Sequence, residues 1–275
     1  MKKPIILALF LAGCLGVVGV ETESNAQDNP QAAAASANAD RKPVLVELFT
    51  AEGCSSCPPA EKLLAALMAR QPAPNAEIIP LEEHVDYWDH DGWVDPFSSA
   101  DWTARQQDYT VKFKENTPYT PEMVVDGDAH FNGSMGHTAV MSIEAAARQP
   151  ETEITVSSGQ PGSHGAEAFN VKVAGLQGDP QGDTADVWLA ITESGLHSNV
   201  TAGENAGQEL YHVAVMRYLH KIGVAHSGSD PVAYSGTPEV KLKSNWKRED
   251  LSVVVFVQDK KSLRVLGVAS AKVAG

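Results

Sequence analysis

Two cysteines define the chemistry open to this chain. Cys54-Ser55-Ser56-Cys57 holds two thiols at the C-x-x-C spacing, close enough to form a disulfide or half a metal site. Before them, Val44 to Phe49 is a nearly unbroken apolar run of β-formers, as expected of a buried strand. After them, Ala60 to Arg70 is rich in helix formers, with Leu63, Leu64 and Leu67 on one face. The pair therefore sits where a strand hands over to a helix. Pro58 and Pro59 suit a first turn, whose N–H groups have no intrahelical acceptors. There a thiol meets the positive end of the helix dipole, which favours the thiolate. Cys54 is expected to be the exposed attacking sulfur and Cys57 the more buried one that resolves a mixed disulfide. A zinc reading would need a second cysteine pair, and the chain has three cysteines in all. An inert structural disulfide is the plain alternative.

The elements around this pair begin with an export signal. Met1-Lys2-Lys3 followed by Pro4 to Leu11 is a basic stretch and then an apolar one, and no other segment is long and apolar enough to span a bilayer. Two ends are open. Leu11-Ala12-Gly13-Cys14 looks like a lipobox, which would anchor a lipid at Cys14. Ser24-Asn25-Ala26 offers an ordinary cleavage site and a signal peptide over residues 1–26. Either gives a periplasmic, secreted or membrane-anchored protein. Residues 27–42 read as a disordered linker. The chain beyond it is long enough for two domains, over residues 43–150 and 151–275. A formal charge of -14 argues against nucleic acid and anionic membranes as partners.

Ile78, Ile79 and Leu81 suggest a second buried strand, running into Glu83-His84-Val85-Asp86-Tyr87-Trp88-Asp89-His90-Asp91-Gly92-Trp93-Val94-Asp95-Pro96. This acidic, aromatic stretch makes His84 a candidate base or ligand, with Asp86 orienting it and Trp88 and Trp93 forming an apolar shelf. The alternative makes the tryptophans core and leaves the aspartates as caps. Ser98 to Phe113 reads as a helix capped by Ser98 or Ser99, with Arg105 free to face the acidic loop. Tyr119 to Ser134 has the pattern of a hairpin turning at Asp126-Gly127-Asp128, with a Thr120-Pro121 bond at its start that could be cis. His137 to Arg148 closes the unit as a helix.

This order, strand, CxxC, helix, strand, helix, proline hairpin, helix, resembles the thioredoxin fold, in which a cis-proline loop packs beside the CxxC. Thr120 and Pro121 match that loop. Val46-Glu47-Leu48-Phe49-Thr50, Gly53 to Pro59, His84 to Asp89, Gly92-Trp93, Asp95-Pro96, Arg105-Gln106 and Tyr119-Thr120-Pro121 together resemble the exported bacterial family called domain of unknown function 1223. The likeness runs from about Pro43 to the end of the chain. It implies a thioredoxin-like fold and names no substrate. Glu122 departs from the Gln expected there and adds acidity beside the cysteines.

The C-terminal part changes character. Seven short β-prone runs between Thr152 and Ala269 suggest a mostly antiparallel β-sandwich-like domain. His212, Met216 and His220 resemble a metal row but read as ordinary strand positions. Gly203-Glu204-Asn205-Ala206-Gly207 reads as a turn-rich, solvated loop.

The leading expectation is an exported thiol–disulfide oxidoreductase. Cys54 attacks, Cys57 resolves, and Thr120, Pro121 and Trp88 shape a groove for protein thiols or a redox partner, with no cofactor. The helix dipole should outweigh nearby carboxylates narrowly, holding the Cys54 thiol somewhat below about 8.5 and making the protein a weak oxidant or a reductant. Two other classes stay open. One is a copper-handling protein with Cys54, Cys57 and His84 as ligands, since Cu(I) favours thiolates and accepts imidazole. The other is a non-catalytic binding module whose disulfide is a staple.

Overall fold

The computed structural model describes Met1 and residues 41–90, 92–177, 183–228 and 231–274. The expected signal peptide, the lipobox at Cys14 and nearly all of the linker lie outside these residues, as does Asp91. Asn38–Gly275 forms one compact unit.

In chain order the elements are β1 (Lys42–Thr50), α1 (Pro58–Arg70), β2 (Ala76–His84), α2 (Ala100–Phe113), β3 (Glu122–Val125), β4 (Ala129–Asn132) and α3 (Gly136–Ala146). There follow β5 (Ile154–Pro161), β6 (Glu167–Ala174), β7 (Thr184–Glu193), β8 (Leu196–Asn199), β9 (Glu209–His212) and β10 (Val215–His226). The last four are β11 (Val232–Gly236), β12 (Glu239–Val240), β13 (Leu251–Asp259) and β14 (Val265–Lys272). The class is mixed α/β, with few helices and a large, mostly antiparallel sheet.

That sheet has eight strands in the order β14-β13-β7-β10-β2-β1-β3-β4. β1 and β2 run parallel, with Thr50 level with His84, so two residue positions that matter below lie side by side. β3 returns antiparallel to β1, setting Glu122 opposite Phe49. β1 is buried on both faces, as a continuous apolar run requires. Val44, Val46 and Leu48 face α1 and α3, while Leu45 packs with Ile79, Leu81 and Trp102 under α2. Each such side chain contributes roughly 1.5–3 kcal/mol by leaving water.

The helix ends follow local rules. Ser99 caps α2 by accepting from the Asp101 amide at 3.2 Å. The β3–β4 turn places Asp126 at φ 46 and Gly127 at φ 62. A side chain at position 127 would run into the Leu263 carbonyl, so glycine is required there.

The change of composition near residue 150 falls between α3 and β5, inside the compact unit. Strands from both sides share the large sheet, joined where β10 meets β2 at Val215 and Glu82. β5, β6, β11 and β12 form a second sheet, and Phe169, Val171 and Val173 pack on Val187, Leu189, Val253 and Val255. The sandwich-like layer therefore uses strands of the large sheet as one of its faces. The expected run Leu210 to Tyr218 is two strands, broken at Ala214, whose φ is 50. β8 and β9 pair into a separate hairpin that carries His212.

Candidate functional site

The cysteines lie at the predicted junction. Cys57 occupies the N-cap of α1, with Pro58 and Pro59 in the first turn, and it is disulfide-bonded to Cys54. Both cysteines are fully buried. The expectation that Cys54 is exposed is therefore corrected: both sulfurs belong to a buried cluster with Phe49, Ala51, Val85, Tyr109 and Val124, and the C-terminal half adds contacts to the backbone beside them. Asn205 donates from its side-chain amide to the carbonyls of Glu52 (2.8 Å) and Cys54 (3.0 Å). Glu204 accepts from the Ser55 amide and hydroxyl at 3.1 and 2.6 Å, which holds its carboxyl below the usual range. The loop after β8, read from sequence as solvated, is a strap bonded to the cysteine loop at Glu52, Cys54 and Ser55.

The proline loop closes the other side. The Thr120–Pro121 bond is cis. A Cβ built on Gly133 would lie 3.2 Å from Ala60 Cβ and 3.3 Å from Pro121 Cβ, so Gly133 packs close to both the proline and the first turn of α1. The Trp88 indole donates to the Thr120 hydroxyl at 2.8 Å, and its backbone packs on Gly53. Cys54, Cys57, Trp88, Thr120 and Pro121 are thus brought into one neighbourhood.

His84 is placed differently from the expectation. It is fully buried, with Nδ1 2.7 Å from Asp95 Oδ2 and Nε2 3.1 Å from Glu82 Oε1. Asp95, not Asp86, orients it. Asp86 instead accepts from the Thr103 hydroxyl at 2.5 Å, because its side chain turns toward α2. Arg105 meets the acidic stretch at its first residue, Glu83, at 3.8 Å. It is drawn inward to the buried Glu47, 2.6 Å from its Nε. The copper set Cys54, Cys57 and His84 does not converge. The sulfurs are bonded to each other, and among the described residues the convergent group of metal-ligand atoms is Glu82, His84 and His212.

His212 is the residue that sequence reasoning passed over. Its Nδ1 lies 2.7 Å from Glu82 Oε1 and 3.9 Å from Glu61 Oε2, and its Nε2 lies 3.1 Å from Glu52 Oε1. Its ring meets that of His84 edge-on at 4.7 Å, and Phe97 covers both. The carboxylates are held from behind. Val213 N–H donates to Glu82 Oε2, Thr50 to Glu61 Oε1, and Trp93 to Glu52 Oε2.

These groups titrate against burial. Burial alone would lower both imidazoles, but Asp95 and Glu82 raise His84 well above its usual value, and Glu52 and Glu82 raise His212 to about 9. Burial pushes Glu61 up to about 7, with Glu82's charge adding to it. For Glu82 and Asp95 the histidine contacts overcome burial and hold the carboxyls below their usual range. Glu122 is raised, first by burial, while hydrogen bonds from Gln106 and His130 oppose the rise. The signal that could have found the cluster is weak: alternate positions Glu82 and His84 on one strand face.

A model of the family described as "Protein of unknown function (DUF1223)" matches residues 45–258. No curated protein matches. Among solved structures, protein AGR_C_4864 from Agrobacterium tumefaciens is similar at 22% identity with TM-score 0.61, over 83% of this chain and 92% of that one. HBP35 of Porphyromonas gingivalis is similar at 14% identity with TM-score 0.63, over 85% of this chain and 76% of that one. At these identities the two structures speak for the fold alone. The family match spans most of the chain, so the protein belongs to the DUF1223 family.

Proposed function

We propose that this protein is an exported, thioredoxin-like thiol–disulfide oxidoreductase that uses the Cys54–Cys57 pair on protein dithiols. The observation that carries the reading is the placement of the disulfide at the N-terminus of α1, with the cis-Pro121 loop and that first turn both packed on Gly133. The β2-β1-β3-β4 order, with α1 and α3 on one face and α2 on the other, supports the thioredoxin-like comparison. The helix dipole stabilises a leaving thiolate at either sulfur.

The chemistry balances without a cofactor. A partner thiolate attacks Cys54, forming a mixed disulfide while the Cys54–Cys57 bond breaks and Cys57 leaves as thiolate. A second partner thiol, deprotonated, attacks its own mixed-disulfide sulfur and expels Cys54. The partner dithiol is oxidised by two electrons, and the CSSC pair is reduced and takes up two protons. Because Cys54 is fully buried, this route needs the surrounding segments to open, and the loop around Asn205, bonded to the Cys54 carbonyl, is the one we assign to that motion.

A second reading, a non-catalytic module stapled by the disulfide, draws on the full burial of both sulfurs. One experiment separates them. The native chain is incubated with a reduced protein dithiol, and free cysteines are alkylated and weighed. Redox function predicts reduction without loss of far-UV dichroism, and Cys57→Ser trapping a mixed disulfide through Cys54. A disulfide that yields only after denaturation overturns it.

A further inference from the structure

Behind the disulfide, Glu82, His84 and His212 each turn one ligand atom toward a common buried point, the three atoms lying within 4.8 Å of one another. Glu61 Oε2 adds a fourth, 3.9 Å from His212 Nδ1. Bonds of about 2.0–2.1 Å in a tetrahedral site set neighbouring ligand atoms roughly 3.3 Å apart. The distances here, 2.7, 3.1 and 3.9 Å, bracket that value, and a bound ion would draw the side chains to it by small rotations.

The outer atoms make the case specific. Each imidazole gives its second nitrogen to a carboxylate, His84 to Asp95 and His212 to Glu52, the arrangement that fixes tautomer and ring orientation in metal-binding histidines. Glu82 spends Oε2 on the Val213 amide, and Glu61 spends Oε1 on the Thr50 hydroxyl. That leaves one oxygen of each carboxylate directed inward.

We propose that Glu61, Glu82, His84 and His212 form a buried, four-coordinate site for a divalent cation of the zinc class. Two imidazoles and two carboxylates suit zinc, whereas Cu(I) favours sulfur. Four protein ligands close the coordination sphere, so the ion is structural and ties α1, β2 and β9 together beneath the strap. The site uses neither sulfur and stands apart from the redox reading.

The test uses the full chain, stripped with chelator and dialysed against zinc. Metal is counted by mass spectrometry, and cobalt(II) substitution reports geometry. Expected are one ion per chain, tetrahedral cobalt bands without thiolate charge transfer, and a rise in melting temperature with zinc. Glu82→Gln and His212→Ala should each weaken zinc binding at least tenfold. Glu61→Gln is the milder variant, scored only if its far-UV dichroism is native, and it should also weaken binding. Cys54→Ser/Cys57→Ser should keep its ion. Failure of the native chain to take up zinc would show an ion-pair network alone and overturn the site. Unchanged affinity in folded Glu82→Gln or Glu61→Gln, or loss of the ion in the cysteine double variant, would overturn it too. None of these outcomes bears on whether the disulfide is reducible, so the two readings fail separately.

Discussion

Asn205 donates its side-chain amide to the backbone carbonyl of Cys54 at 3.0 Å, across 151 positions of sequence. The same amide satisfies the Glu52 carbonyl, so one side chain seals the backbone on the N-terminal side of the disulfide. Without it the Glu52 carbonyl would lose this partner, at about 1–3 kcal/mol, while the Cys54 carbonyl would keep the Cys57 amide at 3.1 Å.

Asn205→Ala should therefore loosen the strap while leaving the core intact. The expected result is faster reduction of Cys54–Cys57 by a small phosphine, by several-fold, with a modest drop in melting temperature. Timed alkylation followed by mass measurement checks it. Equal rates in the two proteins would mean that the strap does not limit access.

Trp88 joins the proline loop to the cysteine loop through its bond to Thr120. Trp88→Phe keeps the Cβ and backbone packed on Gly53 but removes the donor. A loss of about 1 kcal/mol is expected in urea unfolding, the net worth of one such bond. Thr120→Val should cost a similar amount, and the double variant should lose less than the sum. Strict additivity would show that the bond is not what links the loops.

Arg105 holds a charge that cannot be left alone. It pairs with Glu47, whose other oxygen accepts from Tyr109 at 2.7 Å, all within the core. Arg105→Met should cost about 3–5 kcal/mol, because it strands a buried carboxylate. Glu83 is the contrasting case. Its carboxyl oxygens have no hydrogen-bond partner, Arg105 lies 3.8 Å away, and burial and then Glu47 raise it well above the usual range against the pull of Arg105. Glu83→Gln should change stability by about 1 kcal/mol or less. Denaturant titration of the two variants at one pH tests the ranking.

Asp126 ties stability to pH. Its carboxyl accepts from the Leu45 amide at 2.8 Å, and burial raises it from 3.8 to about 8. The folded chain keeps this proton through a range in which the unfolded chain has released it. Stability from this group is therefore full below about pH 4 and is lost as pH rises toward 8. Asp126→Asn keeps the acceptor and removes the titration. It should raise the melting temperature at pH 9 more than at pH 5, and scanning calorimetry at the two values decides it.

Much of the scaffold was legible in the residues themselves. The apolar run Val44 to Phe49, the leucine face of Ala60 to Arg70, the Ser99 cap and the Asp126-Gly127-Asp128 turn each act within a few positions. Their short-range geometry predicts β1, α1, α2 and the β3–β4 hairpin closely. The CxxC junction was legible for the same reason. The strap and the histidine–carboxylate cluster were not. His212 reaches Glu82 across 130 positions and Glu52 across 160, and Asn205 reaches Cys54 across 151. In sequence each looks like an ordinary polar residue in a loop or short strand. What decides its role is the addition of β10 to the edge of β2, which brings the β8–β9 hairpin over α1. Burial there removes water as a partner, so each buried polar group must be satisfied by another group of the chain, and the long-range packing of the sheet determines which one.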